Sequence, residues 1–174
     1  MRRSSAPIAA LAAAAGLALA QAPPAARLAS RFDEVKSKVV RLPGGDERGA
    51  TRVAAGDPAE AGDVVRTGAF ARAVLSVPER AARFELSSSS RVRLAGPEPG
   101  IVLVLESGRL KAVFDAFTGA SEERRVAAPG ALLAVRGTRY GLETTSDGGS
   151  VLAVFEGTVE VFPVDGSPSL RVER

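Results

Sequence analysis

The chain has 174 residues, 45% hydrophobic but only 5% aromatic, with 23 basic and 20 acidic side chains and a formal charge of +3. It contains no cysteine and no histidine, which excludes a disulfide framework, a thiol nucleophile and thiolate metal sites, and removes the commonest general base and metal ligand. Arginines are scattered among the acids and do not form a stripe, so nothing in the charge pattern marks a nucleic-acid partner.

Arg2 and Arg3 precede an apolar run over residues 8–20, and the small residues of Ala18-Leu19-Ala20 stand just before Gln21. This is the layout of a secretory signal peptide cut between Ala20 and Gln21. The run is short of the roughly 20 residues that a bilayer span needs, so the mature chain is expected to be periplasmic or secreted, without stable membrane insertion. Retention of the run as a membrane anchor is the alternative. Cleavage would leave 154 residues and remove Arg2 and Arg3, so that 21 basic side chains face 20 acidic ones. The expected organisation is a signal peptide at 1–20, a flexible Ala/Pro-rich lead-in at 21–34, a β domain at 35–163 and a C-terminal tail at 164–174.

Turn signals then recur about every ten residues, among them Pro43-Gly44-Gly45-Asp46, Gly56-Asp57-Pro58, Gly62-Asp63, Ser107-Gly108, Pro129-Gly130 and Asp147-Gly148-Gly149. Between them lie runs of strand length at residues 39–42, 64–66, 73–77, 83–86, 91–94, 101–105, 109–114, 151–155 and 158–162. Residues 83–86 and 91–94 alternate polar and apolar, whereas 101–105 is apolar throughout and reads as buried on both faces. A short helix at 29–35 is the one weak helical candidate, and no longer stretch carries a 3.6-residue period. The fold class is therefore all-β: a single domain of short strands in a solenoid-like or coiled antiparallel sheet, with a β-sandwich as the alternative. The segments around Gly108 and Gly157 share an acid, a glycine and an outgoing alternating strand, and read as two similar corners.

No catalytic, metal-binding or cofactor-binding residues emerge, and the chain reads as a non-enzyme with no cofactor. Glu122-Glu123-Arg124-Arg125 reads as a solvated loop or strand end. The four serines at 87–90 read as a polar turn, and Asp147-Gly148-Gly149-Ser150 as a hairpin connection. An enzyme would have to rest on two facing carboxylates in a cleft. Arg136 is harder to place. Leu133 and Val135 put odd residues on the apolar face, but Tyr140 and Leu142 put even ones there, so one extra residue near Gly137 implies a β-bulge or corner. Arg136 would sit at that corner, at least half buried, with Glu156 as its expected ionic partner.

Four ordered segments resemble the FecR domain family: Gly62-Asp63-Val64-Val65-Arg66-Thr67-Gly68 with Arg72-Ala73-Val74-Leu75; Leu105-Glu106-Ser107-Gly108-Arg109-Leu110; Ala134-Val135-Arg136-Gly137-Thr138-Arg139-Tyr140 after Pro129; and Val154-Phe155-Glu156-Gly157-Thr158-Val159-Glu160-Val161. Gly62, Asp63, Arg66, Thr67, Gly68, Gly108, Arg136, Gly137, Thr138, Glu156 and Gly157 are the motif positions, and the resemblance implies a structural role for them. It also implies a non-enzymatic β domain outside the cytoplasm that contacts other proteins. In the regulators that name the family, such a domain passes a signal from an outer-membrane receptor through a membrane helix to a sigma factor. The expected function is an exported protein-interaction or scaffolding module that binds an envelope protein or polymer and no nucleic acid. The alternative is a membrane-anchored sensor linked to a sigma factor. The runs at 83–86 and 91–94 are the expected open edge for strand addition.

Overall fold

The structure is a computed structural model that describes residues 29–95, 100–116 and 124–174. The expected leader, its cut between Ala20 and Gln21, and the lead-in as far as residue 28 lie outside the described residues.

The described chain is all-β, as expected. Its strands are β1 (Ser30–Lys36), β2 (Val39–Leu42), β3 (Thr51–Arg52), β4 (Pro58–Ala59), β5 (Val64–Thr67), β6 (Arg72–Val77) and β7 (Ala82–Leu86). They are followed by β8 (Arg91–Leu94), β9 (Ile101–Ser107), β10 (Arg109–Phe114), β11 (Arg124–Ala128), β12 (Ala131–Thr144), β13 (Ser150–Pro163) and β14 (Leu170–Glu173). Residues 29–35 are not helical. Phe32 is buried on β1 while Arg31 and Glu34 are exposed, because pairing with β6 turns the segment's alternation into a half-buried strand. Regular structure therefore starts inside the expected lead-in, and β14 lies inside the expected tail.

The strands form one curled, strongly twisted sheet in the order β3-β2-β5-β8-β9-β11-β12-β10-β7-β6-β1-β4, with β13 on β12 and β14 on β13. Every pairing is antiparallel except β9 with β11. Alternation supplies the inward face: Ala82, Phe84 and Leu86 of β7 and Leu110, Ala112 and Phe114 of β10 are buried, while Arg83, Arg109 and Lys111 point outward. These side chains join Val65, Val92, Leu103 and Leu105 in one core. Each such large apolar side chain contributes about 1.5–3 kcal/mol on burial. Inside it, Phe114 meets Phe84 edge-on at 5.6 Å between centroids and stacks on Tyr140 at 6.3 Å.

Strand β12 holds the two arms of this sheet together. Its first half, as far as Val135, pairs with β11, and its second half, from Arg139, pairs with β10. β13 follows it along both halves. Neither β7 nor β8 is an edge, contrary to the sequence expectation: β7 lies between β6 and β10, and β8 between β5 and β9. Their proximity in sequence misled, because the serine turn between them carries the chain from one arm to the other. Beside the two-residue strands β3 and β4 that end the order, an open edge adjoins β13. β14 pairs only with residues 158–161 of it, so residues 150–156 have β12 on one side and no strand on the other among the described residues.

The long β12–β13 hairpin bends where two glycines meet. Gly137 has φ +60° and Gly157 φ +81°, and a Cβ on Gly157 would lie 2.6 Å from the Gly137 carbonyl oxygen. The corner at Gly157 is thus a bulge inside one strand, unlike Gly108, which makes the turn between β9 and β10. Gly157→Ala is expected to cost about 3 kcal/mol, combining left-handed strain with a backbone clash. Urea unfolding would show it as a lower midpoint at unchanged slope.

Candidate functional site

The motif residues fall at three sites, and an open surface lies apart from them. At the first site, Asp63 is buried and its carboxylate accepts from the Gly44 N–H at 3.0 Å and the Glu60 N–H at 2.9 Å. The Arg41 Nε lies 3.6 Å away. Gly62, at φ +90°, donates its N–H to the Leu94 carbonyl. Asp63 therefore ties the turn before β5 to the loop after β2. Arg66, further along β5, is exposed and pairs with Glu47 at 3.4 Å.

The second site is a chain of hydroxyls. The Thr67 Oγ1 donates to the Ser87 carbonyl at 2.6 Å and accepts from the Ser90 N–H at 2.9 Å. The Ser90 Oγ accepts from the Arg109 N–H and donates to its carbonyl, both at 2.9 Å. The Gly108 N–H donates to the Thr144 Oγ1 at 2.8 Å. Gly108 cannot carry a side chain, because a Cβ there would lie 2.5 Å from the Ser90 Cα. Four turns are thus pinned side by side, and Ser90 is buried as part of the turn.

The third site is the Arg136–Gly137–Thr138 bend, where the structure departs from expectation. The extra residue is there, and the register shifts between Arg136 and Arg139. Arg136 lies opposite Thr158, in the register that runs unbroken from Ala131, and the shift then places Arg139 opposite Glu156. Arg136 is exposed, and no ion pair joins it to Glu156, which is also exposed. The bulge turns the long side chain out to solvent instead of across neighbouring strands. Thr138 is the buried member of the trio, with its methyl against Gly157.

Sequence reasoning missed the buried cation. Arg124, assigned to a solvated segment, is only 3% exposed. Its guanidinium lies over Phe114 at 5.4 Å from the ring centroid and donates to the Asp115 carbonyl at 3.0 Å and the Arg80 carbonyl at 3.2 Å. Burial lowers its pKa from the usual arginine value. The alternation Arg124, Val126, Ala128 would have revealed the inward face. A second cluster joins β8 to β9: Glu106 accepts from the Arg91 Nε at 2.7 Å and the Arg93 Nε at 3.0 Å, and Glu47 reaches Arg91 at 3.1 Å. The Glu106 hydrogen bond raises the Arg91 pKa against the opposing effect of burial.

The open surface lies outside β6, β7, β10 and β12. A groove of about 810 Å³ has Val74 and Val113 in its lining, with Phe155 of β13 against Gly141 at one side. Arg72 and Arg83 there are paired with Glu85 and Glu34, at 3.2 and 3.4 Å. Lys111 and Arg139 make no ion pair among the described residues. Phe155 is 40% and Val151 57% exposed on the neighbouring open edge. No group of three His, Cys, Asp or Glu side chains that could hold a metal occurs among the described residues. The arrangement offers a groove of mixed apolar and charged lining, with Lys111 and Arg139 outside any ion pair among the described residues, which suits contact with another molecule.

Replacing Arg136 by Met is expected to change stability by less than about 0.5 kcal/mol, whereas Arg124→Met should cost about 2–4 kcal/mol. Paired melting curves of the two variants would show the contrast. Thr67→Val should cost about 1–3 kcal/mol by leaving the Ser87 carbonyl and the Ser90 N–H without their partner, measured in the same way.

Residues 63–160 match the family described as FecR protein. No curated protein matches the chain. Two crystal structures of a candidate anti-sigma factor from Parabacteroides distasonis, at 2.50 and 1.65 Å, share the fold at 14% identity, each with a TM-score of 0.51. Each superposition covers 63% of this chain and 50% of the other, so the chain spans about half the length of that protein.

Proposed function

This chain belongs to the FecR family, and from that membership we propose that it is a cell-envelope regulator that takes part in sigma-factor signalling by protein contact. The family is non-catalytic, in agreement with the reading of the chain as a non-enzyme. The observation that carries the proposal is the family match itself, which runs from the Asp63 turn into β13 and so covers the shared core of both arms. The fold shared with a candidate anti-sigma factor favours the sigma-linked reading over a scaffold without a signalling role. The groove beside β13 supplies a contact surface. No helix among the described residues is long and apolar enough to cross a membrane. An anchored sensor would therefore depend on residues 8–20, and an exported module on cleavage after Ala20.

Deleting the gene in its own organism is expected to shift transcripts under one extracytoplasmic sigma factor, with restoration by the full chain. Unchanged transcription, together with substrate turnover by the purified chain, would overturn the proposal. Mass spectrometry of the protein recovered from the envelope separates the two forms: a chain starting at Gln21 is the exported module, and one starting at Met1 in the membrane fraction is the anchored sensor.

A further inference from the structure

Phe70 sits in the link between β5 and β6 and is 91% exposed, ahead of Val164 at 74% and Leu170 at 60%. Its φ is +57°, in the left-handed region that a bulky side chain rarely occupies. Glycine would adopt that geometry freely, so the turn gains nothing internal from a phenylalanine. The turn is also fixed in place. The Gly68 N–H donates to the Lys38 carbonyl at 2.9 Å, and the Gly68 carbonyl accepts from Ala71 at 3.2 Å and Ser89 at 3.1 Å. Ala71 is buried, and Thr67 anchors the hydroxyl chain beneath.

Two lysines stand beside the base of this turn, while Arg66 and Arg72 on either side of it are paired with Glu47 and Glu85. Lys38 packs against Gly68, and Lys36 lies opposite Arg72 in the β1–β6 register. Lys36 and Lys38 make no ion pair among the described residues. A hollow of about 250 Å³ beside the turn is lined by Lys38, Val40 and Arg66.

We propose that Phe70 is the anchor of a protein-docking tip, its rigidly held ring entering an apolar pocket with an acidic rim on a partner protein. A lone aromatic ring on a rigid turn is the form of an interface anchor, and complementary charge around it would steer encounter. A membrane-inserting loop would present several adjacent apolar side chains, and here the neighbours are Ala69 and buried Ala71. The tip rests on the reading of this chain as a protein that works by protein contact.

The test uses the full chain in its own cells, with a photo-crosslinking phenylalanine analogue placed in turn at Phe70, at Phe155 in the groove, and at Val164 as an exposed control. The expected result is one protein adduct from position 70 and none from 164, with the crosslinked peptide carrying Asp or Glu beside apolar residues. Lys36→Glu with Lys38→Glu should reduce that adduct roughly tenfold. Phe70→Gly should raise Tm by roughly 2–5 °C, because it relieves the left-handed strain. Adducts on lipid alone, a protein adduct at Phe155 with none at Phe70, or a lower Tm in the Phe70→Gly variant would overturn the docking tip while the contact reading stands. No adduct at either Phe70 or Phe155 would overturn the contact reading itself.

Discussion

The bend in β12 is the constraint on which the rest of this structure depends. One strand must complete two arms, pairing with β11 before the bend and with β10 after it. A regular strand keeps its side chains on alternating faces, so a change of direction without a change of register would expose either Leu133 and Val135 or Tyr140 and Leu142. One extra residue at Gly137 resolves this, and Gly157 must bend beside it so that β13 stays paired. The contact between the two glycines leaves no room for a side chain, so the bend is fixed by backbone packing.

Given that bend, the polar motif residues act as fasteners at the ends of the arms. Asp63 and Thr67 are buried, each meeting two backbone groups that a turn would otherwise leave without partners. Buried polar groups are tolerated on that condition. Arg124 does the same work for the carbonyls of Arg80 and Asp115 and adds a face-on contact with Phe114. The side chains of Asp63, Thr67 and Arg124 are thus committed to holding turns. What remains available is the surface: the groove beside β13, its open edge, and the turn that carries Phe70.

Much of this was legible from local pattern. Turn positions, the largely buried run at 101–105 and the extra residue near Gly137 follow from alternation and glycine placement, because backbone sterics and burial on one face act within a few residues, whereas β1 read as a weak helix and the 14-residue β13 as two shorter runs. The four ordered motifs likewise identified the family from the sequence alone. Tertiary structure alone decided where those strands lie. Nothing local distinguishes an edge from an interior strand, and so 83–86 and 91–94 read as an edge although each has two neighbours. The partner of Arg136 depended on register across the hairpin, which sets Arg136 opposite Thr158 ahead of the bulge and Glu156 opposite Arg139 after it. Arg124 is buried because β11 is enclosed by β9 and β12, strands from different parts of the chain. Local sequence therefore determined most of the strands, the turns and the family; burial, pairing and exposure were decided by contacts between residues far apart in the chain, as was the strand β1 itself.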